Sequence, residues 1–130
     1  MNDLSGFLRE VGAEPWSIGW SDCVGMVARW LALHGHPGAL AILPIRGDED
    51  MAARQIAEGG GLRAVMAHHA ARLGMQEVTV PQIGDVAWLG FRGNRETGAI
   101  FCGETWAMRT QRGIGRLRQE CVAFKMAWRP

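Results

Sequence analysis

The chain of 130 residues has little that would mark it for export, a membrane, a metal or a cofactor. Its N-terminus carries Asp3, Arg9 and Glu10 among scattered apolar residues, which is not the charged-then-apolar order of a secretory signal. No apolar run approaches the roughly 20 residues that span a bilayer. A soluble protein with no export signal of its own is expected. The three cysteines, Cys23, Cys102 and Cys121, are odd in number and form no C-x-x-C pair, so neither a disulfide framework nor a zinc or redox pair is expected. A reducing compartment fits, with no cofactor and no metal. Low-complexity tracts and internal repeats are also missing, which sets aside disordered, fibrous and solenoid architectures.

What is present is an ordinary globular composition, 48% apolar and 21% charged, in a length that suits one domain over residues 1–130. The charge is uneven. Residues 1–85 hold six Arg against ten Asp or Glu, whereas residues 86–130 hold seven Arg and one Lys against three Glu. The basic end, with Arg109, Arg112, Arg116 and Arg118 close together, suggests either an anionic partner or a solvated loop, and the loop is the simpler expectation. No nucleic-acid motif accompanies it, so nucleic-acid binding ranks last.

Hydrophobic spacing places helices first. Leu4, Phe7, Leu8 and Val11 follow the i, i+3, i+4, i+7 pattern, with Asn2 or Asp3 as N-cap and Gly12 as the stop. Asp22 precedes a second helix, Cys23 to Leu33, closed by Gly35 and Pro37 and apolar on most of its circumference, as a buried central helix is. Helices over 48–58 and 62–73 follow, separated by Gly59, Gly60 and Gly61. From Val78 the period changes to two. "GDVAWLGF", "TGAIFCG", "TWAMRT" and "ECVAFKMAWR" look like strands, with Gly93, Asn94 and Gly113 in turns. Helices followed by strands, without β-α-β alternation, predict an α+β fold with an antiparallel sheet.

The chemistry concentrates in "WSIGWSDCVGMVARW", residues 16–30. A cysteine in the first turn of a helix feels the positive end of the helix dipole and several unpaired backbone N–H groups, which favour thiolate and can hold an oxyanion. The competing reading is plain: Asp22 is a common N-cap, and Cys23 is a small residue of a type often buried. Cys102 and Cys121 fall in strand-like segments and read as buried apolar thiols. Most of the six tryptophans occupy core-like positions rather than a sugar-stacking surface.

The segment resembles the nucleophile motif of the NlpC-type cell-wall cysteine peptidases, in which an aromatic residue and a Gly-containing loop lead into Asp-Cys-Ser-Gly-Leu-Val. Asp22, Cys23, Gly25 and Val27 match, with Val24 for Ser and Met26 for Leu. Gly84-Asp85 is similar to the dipeptide that opens the family's first sheet strand, and "TGAIFCG" from Thr97 is similar to its His-x-Gly-Ile strand. The sequence is more similar still to a short branch of the superfamily, encoded mainly in phage and prophage genomes near tail genes. That branch shows a "PWSIGWSDC" segment, an Arg-Gly pair as at Arg46-Gly47, and a final Trp, here Trp128. The resemblance implies a papain-like, NlpC-type fold, with N-terminal helices and a central Cys-bearing helix packed on a C-terminal antiparallel sheet.

The same resemblance sets Cys23 in the nucleophile's place and Thr97 in the place of the histidine that activates it. Arg109 stands nearest the place of the second polar residue, and Trp16 at that of the tyrosine that helps hold the oxyanion. A threonine cannot accept a proton near neutral pH. His34 lies eleven residues beyond Cys23, about 16 Å along the helix, and His36 lies past the helix end, so neither can serve. His69, on the apolar face of its helix, and His68, on a more exposed flank, remain candidate bases. The resemblance implies a tail-associated domain at the tail tip or baseplate, catalytically weak or inactive, with other tail proteins as partners. It would be present in the host cytoplasm during assembly or on the virion tail. The rival expectation is an active peptidase or amidase in which Cys23 attacks peptidoglycan stem peptides.

Overall fold

The computed structural model describes residues 3–130, so Asn2, one of the two candidate caps, lies outside the described residues. Asp3 fills that role. Its carboxylate accepts from the amides of Ser5 and Gly6 at 3.1 and 3.3 Å and starts α1, Leu4–Ala13. Gly12 does not end this helix. It lies inside it, where a Cβ would come within 2.8 Å of the Ile114 side chain, so the glycine is there for close approach rather than for termination. Next come α2, Cys23–Leu33, a 3₁₀ turn at Pro37–Ile42, α3, Glu49–Glu58, and α4, Leu62–Arg72. Asp48 caps α3 through the Met51 amide at 2.9 Å. No helix among the described residues is long and apolar enough to cross a membrane.

Six strands follow: β1, Gln76–Val78, β2, Val86–Phe91, β3, Arg95–Phe101, β4, Thr105–Thr110, β5, Gly113–Arg118, and β6, Val122–Arg129. They form one sheet in the order β1-β6-β2-β3-β4-β5, antiparallel at every pairing. The fold is therefore α+β, with the helices ahead of a six-stranded antiparallel sheet. The period-two pattern located four of these strands. It passed over β1, which is only three residues long, and β5, whose alternation is blurred by Gly115 and two arginines. The Arg-rich end is consequently not a loop. Arg116 and Arg118 lie on the edge strand β5, where charged side chains discourage further strand pairing. Gly113, expected in a turn, opens that strand.

β2 and β3 are buried almost continuously rather than on alternate residues, because both faces of the sheet are covered. On one face Val86, Trp88, Ile100, Ala107 and Trp128 meet α1 and α2 through Phe7, Leu8, Val11, Met26, Trp30 and Leu31. On the other, Ala87, Leu89, Ala99, Phe101, Trp106 and Ala127 form a second cluster to which no helix contributes. Val78 of β1 and Leu117 of β5, from opposite ends of the strand order, both rest on that second cluster. Each is the cross-strand partner of a cluster member, Val78 of Ala127 and Leu117 of Trp106. Four of the six tryptophans, Trp30, Trp88, Trp106 and Trp128, are core residues.

Gly84 and Asp85 tie the start of β2 to its surroundings. The Gly84 carbonyl accepts from the Trp30 indole of α2 at 2.9 Å, and the buried Asp85 carboxylate receives the Gln82 amide at 2.8 Å. Arg129, at the end of β6, donates to both Asp85 oxygens at 3.1 and 2.9 Å.

Candidate active site

The site begins with the loop between α1 and α2, a segment that needs its own fastening because it has no regular structure. Asp22 fastens it at both ends: one carboxylate oxygen accepts from the Gly25 amide at 2.7 Å, capping α2, and the other accepts from the Gly19 amide at 2.9 Å, closing the loop. Arg46 and Gly47 hold the loop from outside. The Arg46 guanidinium donates to Ser17 Oγ at 3.0 Å, and the Gly47 amide to the Ile18 carbonyl at 2.7 Å. The Arg-Gly pair and the "WSIGWSDC" segment are therefore parts of one structure. The loop lies so close to the first turn of α2 that a Cβ on Gly25 would sit 2.3 Å from the Trp20 carbonyl oxygen. The close partner of Gly25 is this loop and not the sheet. Gly25→Ala is expected to destabilise the protein by about 1–3 kcal/mol, the usual cost of overpacking where the obstacle is backbone, measured by chemical denaturation. A cost below about 0.5 kcal/mol would show that the loop yields freely.

The glycine that allows α2 to meet the sheet is Gly98 on β3, where a Cβ would lie 3.0 Å from the Cys23 carbonyl oxygen and 3.2 Å from Val27. The β3–β4 ladder pairs Ile100 with Ala107 and Phe101 with Trp106. α2 packs against both strands. Cys23 is partly buried at this contact, and the groups that bear on its sulfur are the Gly98 and Val24 backbone, the Asp22 carboxylate and the Thr97 side chain. No imidazole is among them. Burial pushes the Cys23 thiol above the usual cysteine range, and the Asp22 charge adds to that, outweighing the opposing influence of the neighbouring Gly98 and Val24 backbone and Thr97 side chain. The stabilisation of thiolate expected at a helix N-terminus is thus opposed by burial, because taking a thiolate out of water disfavours the charged form.

Thr97, buried on β3, is placed beside Cys23. Its hydroxyl donates to the Gly98 carbonyl at 2.9 Å. Arg109, on β4, is also buried, but its guanidinium faces α1: Nε donates to the Val11 carbonyl at 3.2 Å, and the terminal nitrogens donate to the carbonyls of Glu14 and Thr110. It closes the C-terminal end of α1, where four carbonyls of any helix need partners. Trp16, 37% exposed, has the Arg109 guanidinium carbon 6.0 Å from its ring. Its indole offers a single N–H donor.

The histidines are elsewhere. His34 is the C-cap of α2, at the far end from Cys23, and His36 precedes the 3₁₀ turn. His68 is exposed, and its ring centroid is 5.7 Å from that of His69. His69 lines a narrow cleft of about 100 Å³ that Gly19 and Asp22 also reach. Burial, and then the neighbouring His68 and Arg72, lower its tendency to take a proton. Among the described residues no three His, Cys, Asp or Glu side chains are grouped to hold a metal ion.

Sequence reasoning missed Ser21 and Gly98. Ser21 is fully buried with no hydrogen-bond partner for its hydroxyl, and nothing in its spacing marked it. Gly98 could have been suspected as a glycine inside a strand, a usual sign of close backbone approach. A family model described as a domain of unknown function (DUF6950) matches residues 1–130. No curated protein and no solved structure matches the chain.

Proposed function

We propose that this chain, which belongs to the DUF6950 family along its whole length, is a catalytically silent domain of the papain-like, NlpC type that works as a structural and interaction module. By its resemblance to the phage-encoded branch, its place is a phage or prophage tail, at the tip or baseplate, with neighbouring tail proteins as partners. The observation that carries the silent site is Thr97 beside Cys23, with burial holding the thiol protonated. A thiol hydrolase needs an adjacent base or a lowered thiol pKa, and here neither is supplied. The scaffold of a nucleophile site is kept by Asp22, Gly25 and Gly98, each of which has a structural reason to stay that does not involve catalysis.

Alkylation of Cys23 by iodoacetamide across pH, in a chain with Cys102 and Cys121 replaced by serine, tests this reading. The onset is expected above the free-thiol value of about 8.5. An onset near 7 or below, together with release of peptidoglycan stem peptides that stops in Cys23→Ala, would establish the hydrolase instead. Sedimentation with assembled tails tests the location, and absence from purified tails rejects it. The hydrolase reading retains one favourable observation, the His69 cleft that reaches Asp22. A Cys23-dependent activity lost in His69→Gln but kept in His68→Gln would assign the base there.

A further inference from the structure

A second cleft, of about 570 Å³, opens at the other end of α2, against His34 rather than Cys23. Its size falls in the range of small-molecule sites, roughly 300–1,000 Å³. The walls come from α1, α2, the loop before β2, the end of β3 and the edge strand β5. One side is aromatic. Trp30 is held by its bond to the Gly84 carbonyl at 2.9 Å, and the His34 ring lies against it, tilted by 39°, with centroids 3.9 Å apart. Burial lowers the tendency of His34 to take a proton, and its Nε2 is enclosed without a hydrogen-bond partner. Ile83, 68% exposed, forms an apolar lip.

The opposite wall is cationic. Arg116 of β5 lines the cleft together with the half-buried Cys102, and its positive charge opposes the effect of burial on that thiol. Among the described residues Arg116 forms no ion pair. The one carboxylate on the rim, Asp3, is engaged with the amides of Ser5 and Gly6. The cleft therefore joins an apolar wall, Leu4, Leu8, Ile83 and the edges of Trp30 and His34, to a cation that forms no ion pair among the described residues.

We infer that this cleft is a binding site for a small aromatic carboxylate, with the carboxylate on Arg116 and the ring between Ile83 and the tilted Trp30–His34 pair. The site is separate from the Cys23 centre and does not depend on how that centre is read. An apolar body supplies contact area while a single charge pairing fixes orientation, the usual division of labour in such pockets. Arginine suits the role because its planar fork matches a carboxylate bidentately.

Cys102 reports on the site directly. In a chain with Cys23 and Cys121 replaced by serine, its labelling rate is measured with the aromatic dicarboxylate 5,5′-dithiobis(2-nitrobenzoate) and with the neutral 4,4′-dithiodipyridine. The ratio of the two rates cancels the reactivity of the thiol itself. The exposed Cys121, measured likewise in a chain lacking the other two cysteines, is the reference. The ratio at Cys102 is expected to exceed that at Cys121 by about tenfold or more, as a focused local charge produces. Arg116→Gln is expected to abolish the excess, and Arg112→Gln, outside the cleft, to leave it. Millimolar 2-naphthoate is expected to slow labelling at Cys102 and not at Cys121. Equal ratios, an excess that survives Arg116→Gln, or the absence of protection by 2-naphthoate would each overturn the site.

Discussion

Arg109→Leu is expected to lower the free energy of unfolding by about 3 kcal/mol or more, the largest loss among the substitutions considered. The side chain is 3% exposed, and its guanidinium serves three carbonyls, those of Val11, Glu14 and Thr110. Leucine would remove a donor from each: the Val11 carbonyl would keep only the Glu14 amide at 3.3 Å, and the part-buried carbonyls of Glu14 and Thr110 would lose the guanidinium, at roughly 1–3 kcal/mol for a group left unpaired before relaxation. Loss of a cation from the C-terminal end of α1 adds a few tenths to about 1 kcal/mol. The apolar volume of leucine recovers a part, which is why the sum is not taken in full. Arg109→Lys should restore only a fraction, because an ammonium cannot reach three carbonyls with a planar fork. Denaturant titration, with the midpoint displaced and the slope unchanged, measures the effect. A loss below about 1 kcal/mol for leucine would mean that water serves these carbonyls equally well.

Thr97→His should turn a protonated thiol into a reactive one. The position is beside the Cys23 sulfur, so an imidazolium there would favour thiolate and oppose the burial that now raises the thiol. The sign follows from the charges: a cation near the sulfur lowers its pKa, and the gain fades once pH rises above the imidazole's own pKa. Histidine-paired cysteines titrate as low as about 3.5–7.5, so the alkylation onset should move down by at least one pH unit from that of the unsubstituted chain. Hydrolysis of p-nitrophenyl acetate, dependent on Cys23, is the second readout. Thr97→Asn controls for the added bulk, since an amide fills space and offers no base. An unchanged onset in a folded Thr97→His chain would show that position 97 does not face the sulfur, and the correspondence with a histidine would be lost.

These two positions also show how much of the site was legible beforehand. The resemblance gave Thr97 the histidine's place, and the structure sets it against the thiol. Arg109 was assigned nearest the second polar position, yet its guanidinium is turned to α1. Which way a long side chain turns depends on the acceptors around it, and the open carbonyls at the end of α1 come from residues 95 and 98 positions away in the chain. Gly12 was misread for a similar reason. A glycine near a helix end usually marks termination, but here the neighbour that requires it, Ile114, arrives from β5. Burial opposes the thiolate expectation, and this was not legible, because a helix N-terminus is visible in a sequence whereas desolvation by packed neighbours is not.

What the sequence determined by itself is what depends on near neighbours: four helices, the Asp caps of the first two, four of the six strands, and the α+β order. Asp3, Asp22 and Asp48 act on amides two or three residues away, within the reach of local pattern. Only the tertiary structure decided that the sheet carries a second core on its other face, that Arg46 and Gly47 fasten the loop ahead of Cys23, and that Arg116 and Cys102 line one cleft with Trp30 and His34. Each of these joins residues far apart in the chain. Their energies come from burial and from unpaired polar groups finding partners, terms set by the assembled environment rather than by adjacent residues.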